Sequence, residues 1–548
     1  MSTEETATER SPLLKEPHPQ HGSSPDANTT TQSASTEQPS EPESPEILRA
    51  RKNVKQMLPV LGLGLFLTFL DQTVVAAING DIGSDLNALG SASWIATAYF
   101  LTMTCCQPLY GKLSDVFGRK PCLLFALTMF GIGNLGCGLT GTMAGLIAAR
   151  AIQGVGGGGM LIVVTVLLSD LIPLRDRGTY QGYLNLIGAI GSTSGGPIGG
   201  LFVQTIGWRW AFLIQVLLCL IAILAVSFFL HPPSRKTDIS WREQLKRIDF
   251  LGALLLILTV FAILFGLDRG SNVSWRSPVT IISLCATVPF ILSFLWVETR
   301  FASEPFTPGH IIFDKALCAC YLQNFFGYAG FTAFIFYIPF FFQVVLEMTP
   351  AQAGIGLIPA AVSAVVGTLL GGIILKRIGK FYWLALIASL VGTITAVPIA
   401  IAPSLPRGSA ITIYVASVVT FVPQGMTITA SLIAIISNVS SADQAVATAC
   451  SFLFRSLGAA VGVSLVGLIN QQVLSTKLRA RLDPDRADEI VKKVSRSLDF
   501  IKDLPPDLRT VVEGCYRDGI QSGFIMCVAL LAVGTLSIVW WREKKMSK

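Results

Sequence analysis

Long apolar runs separated by short polar segments dominate the chain from residue 58 onwards. A bilayer core about 30 Å thick needs a helix of about 20 apolar residues, and fourteen runs come close to that length. The pattern therefore predicts an all-α, polytopic membrane protein with fourteen transmembrane helices. The predicted spans are residues 58–78, 93–110, 122–140, 143–169, 180–203, 211–230, 250–267, 279–297, 321–346, 353–375, 382–401, 411–437, 445–469 and 522–541.

Lysine and arginine in the short connecting loops predict how the chain is oriented, because basic residues are retained on the cytoplasmic side of a membrane. Fifteen of them fall in one set of loops and four in the opposite set. The first set is therefore predicted to be cytosolic. Since an even number of spans places both ends on one side, both termini are predicted to be cytosolic as well.

The composition excludes a water-soluble protein, because 51% of the 548 residues are hydrophobic, 14% are charged and the mean hydropathy is +0.60. The net charge of +7 comes from membrane loops, so we predict a lipid bilayer and no nucleic acid as partner. No nucleotide-binding or hydrolytic motif is present, so we predict neither an enzyme nor a cofactor. The cysteines lie in or beside apolar runs, except Cys515 in a polar segment, and the four histidines lie outside the runs, so no metal site is predicted.

Residues 1–55 are rich in Ser, Thr, Pro and Glu and are predicted to form a disordered cytosolic tail. Within it, Glu9, Leu13 and Leu14 fit the acidic dileucine form E-x-x-x-L-L that sorting adaptors bind. An adaptor is therefore a predicted partner, although such a hexapeptide also arises by chance.

Two segments on the predicted lumenal side carry further features. Residues 471–520 alternate charged and apolar positions with helical spacing, which predicts an amphipathic lumenal loop. Asn272 begins the sequon Asn-Val-Ser and is a predicted glycosylation site.

An internal repeat is present in two loops. The decapeptide GKLSDVFGRK at residues 111–120 follows the second span, and a weaker copy, GIILKRIGK at residues 372–380, follows the tenth. Equivalent loops of this kind predict two half-transporters. Lys376 stands where the first copy has Asp115, so the second copy is expected to lack the charge relay of the first.

The repeat belongs to a set of motifs that together resemble a known family. The decapeptide is similar to the loop signature of the major facilitator superfamily. LDQTVV at 70–75 and RAIQGVGG at 150–157 resemble the first-span and fourth-span motifs of its fourteen-spanner drug:proton antiporter branch. GGPIGG at 195–200, with Gly196, Pro197 and Gly200, resembles a shortened fifth-span antiporter motif.

The resemblance covers residues 55–545 and implies a major facilitator fold of two six-helix bundles and two linker helices. The implied parts are an N-terminal six-helix bundle at 56–232, two linker transmembrane helices at 233–300, the first five helices of the C-terminal bundle at 301–470, the lumenal loop at 471–520, and the last transmembrane helix with a cytosolic tail at 521–548.

A narrower resemblance concerns GLFVQTIGWRWAFLIQ at 200–215 and SPLL at 11–14, which are similar to fungal vacuolar basic amino acid transporters. It implies a proton-coupled antiporter in the vacuolar membrane that moves arginine, lysine and histidine out of the cytosol by alternating access. Siderophore and drug exporters share the Trp-Arg-Trp element, so a plasma-membrane exporter is an alternative. A non-transporting nutrient receptor on the same scaffold is a third.

Charged residues inside apolar spans are costly, which makes Asp71 and Arg150 functional candidates. Asp71 lies 13 residues into the first span, or about 20 Å deep, and Arg150 has a similar depth in the fourth. Since the first and fourth spans of the family line one cavity, both residues, with Gln153, are predicted to form a site that exchanges a proton for a small cationic amino acid. Arg150 would bind the substrate carboxylate. A fixed structural ion pair is the alternative.

Arg455 lies near the middle of the thirteenth span, where a substrate role and a structural role are equally open. Asn324 and Tyr328 on the ninth span are predicted to line the cavity, with helix packing as the alternative.

Charges at the cytosolic ends of helices predict a gate for alternating access. The predicted gate residues are Gly111, Asp115, Gly118, Arg119, Asp170 and Arg177. The alternative is that these loops are basic only because of membrane topology.

Overall fold

The computed structural model describes residues 45–88, 93–230, 249–272, 274–300, 309–348, 350–405, 409–440, 443–481 and 505–543. In this part of the chain every regular element is helical, which confirms the predicted all-α class. The long helices are α1 Pro45–Asp85, α2 Ser93–Phe117, α3 Arg119–Leu139, α4 Met143–Leu171, α5 Leu174–Thr205, α6 Arg209–Phe229, α7 Phe250–Asn272, α8 Pro278–Arg300, α9 Lys315–Val345, α10 Ile358–Ile378, α11 Tyr382–Ile401, α12 Ser409–Asn438, α13 Gln444–Arg481 and α14 Pro506–Ser537.

Local sequence signals set several of the helix ends. The Asp314 carboxylate caps α9 by accepting from the backbone N–H groups of Ala316 and Leu317, both at 3.0 Å. Gly379 ends α10 with φ +70°, a left-handed conformation that glycine adopts without a steric penalty.

Thirteen helices in the described ranges are long and apolar enough to cross a membrane, judged by length and composition. The remaining long helix, α2, has 25 residues but contains polar side chains such as Thr97, Thr102 and Gln107. Those side chains face protein: Thr97 bonds to Asp268, Thr102 to the Ala151 carbonyl, and Gln107 accepts from Ser456. Lower hydropathy in α2 therefore reflects contacts inside the bundle.

Helices extend into both ends of the predicted lumenal loop at 471–520. Helix α13 continues to Arg481 and α14 begins at Pro506, and an ion pair between Lys477 and Asp518 joins the two extensions. Cys515, expected in a polar segment, is buried in α14, where it packs on the same apolar face as Val512 and Tyr516. Charged neighbours lower the local hydropathy and hide this helical stripe. The central part of the predicted amphipathic segment, residues 482–504, lies outside the described residues.

The predicted tenth span, 353–375, is also divided. A short helix, Pro350–Ile355, ends before Gly356, and α10 begins only at Ile358. Tyr414 and Phe342 fill the space beside Gly356, where a Cβ would lie 2.9 Å from the Phe342 ring. Close packing at this glycine coincides with the break in the helix.

The same helix pairs recur in the two halves of the protein. In the first half α1 packs on α5, α2 on α4 and α3 on α6; in the second half α9 packs on α13, α10 on α12 and α11 on α14. Each half has its own hydrophobic core, centred on residues such as Phe130 and Met160 in the first and Phe341 and Phe524 in the second. The repeat that the two loop motifs predict therefore extends to the whole fold.

Helices α7 and α8 form a hairpin beside the two halves. Leu256 and Val260 of α7 and Phe294 of α8 share an apolar cluster with Leu101 of α2 and Leu453 of α13. Because α2 belongs to the first half and α13 to the second, the hairpin packs against both.

Candidate functional site

A completely buried ion pair joins α1 and α4. Arg150 Nη1 lies 2.6 Å from Asp71 Oδ2, and the two side chains are 1% and 0% exposed. Arg150 also donates from Nη1 to Gln153 Oε1 at 2.5 Å and from Nε to the Ile95 carbonyl at 3.1 Å. Its guanidinium carbon lies 4.3 Å from the centre of the Tyr99 ring. Asp71, Arg150 and Gln153 are thus in contact, as the sequence predicts.

The pair is closed in this conformation. The Gln215 amide approaches the other carboxylate oxygen of Asp71 at 3.5 Å, so polar groups of α4 and α6 occupy both oxygens. Arg150 has no room to form the predicted fork with a substrate carboxylate while it holds Asp71. In such an arrangement, the free-energy cost of removing two charges from water is offset by their mutual attraction and by their hydrogen bonds.

A second polar cluster lies in the other half. Arg455 of α13 is 6% exposed; its Nε donates to Asn324 Oδ1 at 3.1 Å and its Nη2 to the Ile428 carbonyl at 3.3 Å. The rings of Tyr328 and Phe452 lie 5.2 and 5.3 Å from its guanidinium carbon. Among the described residues Arg455 forms no ion pair with a carboxylate.

Three of the groups around Arg455 also line a narrow cleft between α9 and α12. Its volume of about 10 Å³ accommodates roughly one water molecule. The lining residues are Gln323, Asn324, Gly327, Tyr328, Phe331, Gln424, Thr427, Ile428 and Ser431. Arg455, Asn324 and Tyr328 are therefore brought together, at a distance from the Asp71–Arg150 pair along the chain and in the opposite half.

The decapeptide 111–120 is held by a network centred on Arg119. Its guanidinium lies 2.7 Å from Asp115 and 2.8 Å from Asp170, and it donates to Ser114 Oγ at 2.7 Å. These bonds tie the ends of α2, α3 and α4 together. Gly118 joins α2 to α3 with φ +92°, a conformation that strongly favours glycine. We call the end of the bundle that carries this decapeptide the signature end.

The two halves meet at the signature end through glycines. A Cβ built on Gly111 of α2 would lie 2.6 Å from Ala449 Cβ of α13, and one on Gly178 of α5 would lie 2.9 Å from Gly372 Cα of α10. The two contacts are equivalent under the internal repeat, because α2 corresponds to α10 and α13 to α5. Glycine is therefore required for the close approach of the halves.

Polar bonds accompany these glycine contacts. Asp176 and Lys376 form an ion pair at 2.8 Å, and Arg177 Nη1 donates to Gln444 Oε1 at 3.2 Å. Lys376, which stands where the first loop copy has Asp115, therefore pairs with an acid from the other half of the protein. The sequence analysis missed Asp176, Gly178 and Gly372 as contact residues, although the glycine of the second loop copy was a signal for the last of them.

Only some glycines of the predicted fifth-span motif pack against α1. A Cβ on Gly195 or Gly199 would clash with or crowd α1, whereas one on Gly196 or Gly200 would meet nothing within 4 Å. Pro197, within α5, is exposed. The phase of α5 against α1 decides which glycines of the run are in contact.

The Trp-Arg-Trp element joins the far ends of α1 and α6. Trp208 Nε1 donates to Asp85 Oδ2 at 3.1 Å, and Arg209 Nη1 lies 3.0 Å from the same oxygen. The Trp208 bond, and then Arg209, lower the pKa of the Asp85 carboxyl. This element stabilises helix packing in the described structure.

Two predicted sites cannot be placed. Glu9, Leu13 and Leu14 lie outside the described residues, and for Asn272, the last residue of α7, only the backbone is described. The sorting signal and the glycosylation site stay predictions.

Two related six-helix bundles with buried charged residues are the architecture of a secondary membrane transporter. Residues 61–463 match the Major Facilitator Superfamily, and the chain belongs to this family of multi-pass membrane transporters, which are not enzymes.

Curated fungal relatives cover nearly the whole chain. "Vacuolar membrane amino acid uptake transporter fnx2" of Schizosaccharomyces pombe is 38% identical over 477 residues, 86% of this chain and 82% of that protein. "Multidrug resistance protein fnx1" of the same organism is 35% identical over 506 residues, 90% and 94% of the two chains. "Vacuolar basic amino acid transporter 2" of Saccharomyces cerevisiae is 29% identical over 460 residues, 81% and 96% of the two chains.

A solved structure shares the fold at low sequence identity. The crystal structure of the human organic anion transporter MFSD10 superposes with a TM-score of 0.58 and 15% identity, covering 88% of this chain and 99% of that one.

Proposed function

We propose that this protein is a proton-coupled antiporter that carries basic amino acids from the cytosol into the vacuole by alternating access. The names of two relatives, a vacuolar amino acid uptake transporter and a vacuolar basic amino acid transporter, support the substrate class and the compartment. The observation that carries the proton coupling is the fully buried Asp71–Arg150 ion pair.

Protonation of Asp71 would couple a proton to a rearrangement of α1 and α4. A neutral Asp71 leaves the Arg150 guanidinium with uncharged partners, namely the Gln153 side chain, the Ile95 carbonyl and the Tyr99 ring, and an unbalanced buried charge is strongly unfavourable. Gln153 Nε2 and Gln215 Oε1 have no hydrogen-bond partner among the described residues and can bind the groups that the pair releases. The protonated state therefore favours an arrangement in which Arg150 reaches water or an anion.

The closed signature end fits one of the two states that alternating access requires. We place this end and both termini on the cytosolic side, so that substrate would leave the protein on the opposite, lumenal side in this conformation. The glycine contacts at Gly111 and at Gly178 with Gly372 would then separate to admit substrate from the cytosol.

Uptake of labelled arginine, lysine and histidine into vesicles under an imposed proton gradient tests the proposal. The wild type should accumulate them when the lumen is acidic, and Asp71→Asn should lose the response to the gradient. Asp85→Asn is the matched control, because Asp85 lies on the same helix but is half exposed and outside the buried pair. If Asp71→Asn transports normally with unchanged proton dependence, Asp71 is not the coupling residue and the pair is structural.

Two alternatives remain specific enough to test. One is an exporter of drugs or siderophores at the plasma membrane. The similarity to a multidrug resistance protein supports drugs, in which case drug efflux rather than amino acid uptake follows the gradient. Absence of any turnover with retained amino acid binding would indicate a nutrient receptor.

The proposed location in the vacuolar membrane is tested by imaging the tagged protein in cells. We expect the wild type in the vacuolar membrane and a Leu13→Ala, Leu14→Ala variant at the cell surface. Unchanged vacuolar residence of the variant would remove the sorting signal from the proposal.

A further inference from the structure

We propose that Arg455, together with Asn324 and Tyr328, forms a carboxylate-binding subsite in the second half of the protein. Its assignment to the α-carboxylate of an amino acid rests on the proposed function, whereas the carboxylate chemistry rests on the geometry around Arg455.

The charge balance of the two halves differs. Arg150 and Arg455 are both nearly or fully buried in apolar helices, but Arg150 holds the Asp71 carboxylate and Arg455 holds two neutral oxygens. A guanidinium presents five N–H donors in one plane, and two of them, Nε and one on Nη2, are bound here. Buried cations are stabilised by an anion or by a ligand that supplies one. Within the described ranges, Arg455 of the second half thus has no carboxylate partner, whereas Arg150 of the first half has one.

The surroundings orient Arg455 in advance. Asn324 Nδ2 donates to Ser451 Oγ at 3.0 Å, and Ser431 Oγ donates to Asn324 Oδ1 at 2.8 Å. These bonds fix the amide with its oxygen towards Arg455 Nε. Tyr328 and Phe452 approach the guanidinium within cation–π distance. The N–H groups that are not bound to Asn324 or Ile428 are left for a planar partner. A carboxylate matches such N–H groups by bidentate bonding.

Gln424, a further polar residue that lines the cleft, has its Nε2 beside Gly392 of α11. Gln424 is 3% exposed, and its Nε2 donor is unpaired within the described part of the chain. It lines the cleft from α12, opposite Asn324 and Tyr328 of α9. An unpaired buried donor costs free energy, and a bound carboxylate or the amino acid backbone offers acceptors for it.

The cleft must open for a ligand to bind. Its present volume of about 10 Å³ holds about one water molecule, which is less than a carboxylate needs. Entry of an amino acid therefore requires α9 and α12 to separate, so binding at Arg455 would be linked to helix movement in the second half.

Thermal unfolding of the purified full-length protein in detergent tests the subsite with matched ligand pairs. Lysine is compared with cadaverine, which lacks only the carboxylate, and alanine with ethylamine. Lysine should raise the unfolding temperature of the wild type and cadaverine should not. Arg455→Gln should bind lysine roughly 10- to 100-fold more weakly, because a charged hydrogen-bond pair is lost. The effect of cadaverine on the unfolding temperature should be the same in this variant as in the wild type.

Asn324→Asp is the sharper variant. A carboxylate at position 324 would neutralise Arg455 internally, since the present amide oxygen already lies 3.1 Å from its Nε. We expect this variant to be folded, to unfold at the wild-type temperature or higher, and to lose the lysine response. Arg455→Lys keeps the charge without the fork and should retain a weakened response, which shows that loss in Arg455→Gln is not a folding defect.

The outcomes separate this inference from the proposed function. A wild type that distinguishes alanine from ethylamine through Arg455 but transports no basic amino acid supports the subsite and overturns the substrate assignment. Equal binding of lysine and cadaverine by the wild type, or an undiminished lysine response in both Arg455→Gln and Asn324→Asp, overturns the subsite whatever the protein transports. A wild type that responds to neither pair also overturns it.

Discussion

Replacing Gly372 by alanine should hold the two halves apart at the signature end. A Cβ at this position would lie 2.5 Å from the Gly178 carbonyl oxygen and from the Thr179 backbone nitrogen. Ordinary contact begins near 3.4 Å, so α5 and α10 must separate by about 1 Å. Overpacking of this kind destabilises a structure by about 1–3 kcal/mol. Only the closed state is destabilised, because α5 and α10 touch only when the signature end is closed. At 1.4 kcal/mol per tenfold, the closed-to-open ratio falls about 5- to 140-fold.

The assay is maleimide labelling of a cysteine at position 429 in a background without native cysteines. Thr429 is 1% exposed and packs against Gly178 at the interface of the halves. Its labelling from the signature end should be faster by a similar factor in Gly372→Ala, and transport should fall. Gly131→Ala is the control, because it makes the same exchange in a helix and its Cβ would meet the Cβ of residue 219 at an ordinary 3.4 Å, an atom that remains when Cys219 is replaced.

The control also accounts for helix propensity, since alanine is more favourable than glycine within a helix by about 1 kcal/mol. If Gly372→Ala labels and transports like Gly131→Ala, the halves do not depend on backbone contact at this point and the gate is located elsewhere.

Three further changes follow from the charged contacts. Asp71→Asn should destabilise the protein by about 3–5 kcal/mol, because it leaves Arg150 buried and unbalanced, and the double variant with Arg150→Met should recover most of the loss; equal unfolding temperatures of wild type and single variant would contradict the pair. Asp176→Lys should slow transport, and the addition of Lys376→Asp should restore it. The free energy of unfolding should change by less than about 1 kcal/mol, because this ion pair is partly exposed. If the double variant fails in transport assays, the ion pair does not hold the two halves together. Asp85→Asn should lower the free energy of unfolding by a similar small amount above about pH 5. The pKa of the Asp85 carboxyl is lowered in the folded state. The stabilisation by ionised Asp85 is therefore kept down to the ordinary pKa of about 3.9 and is lost as pH falls below it, through the lowered pKa. A difference in unfolding temperature that disappears between about pH 7 and pH 5 would contradict the Asp85 contacts.

Depth along a helix made part of the buried site predictable. Asp71 and Arg150 lie at similar distances from the predicted cytosolic surface, and rise per residue alone brings them level. Their contact is observed at 2.6 Å. The complete burial of the pair depends instead on Tyr99, Gln153 and other neighbours. These residues come from separate helices, and their spacing in the sequence does not show that they meet.

The helical phase decided which small residues matter. Helix α5 carries a run of glycines, and only the orientation of α5 against α1 selects Gly195 and Gly199 over Gly196 and Gly200 as contact residues. Similarly, Cys515 was misplaced because charged neighbours mask an apolar stripe that is evident only when the helix packs.

The sequence by itself determined the helical class, the number and order of the long helices, the internal repeat and the family, because apolar run length and local motifs are properties of neighbouring residues. Only the tertiary structure decided that Lys376 pairs with Asp176, that Gly372 packs on Gly178, and that Arg150 has a carboxylate partner whereas Arg455 has none among the described residues. Those facts depend on distances between helices far apart in the chain, and such distances are set by how all the side chains pack at once.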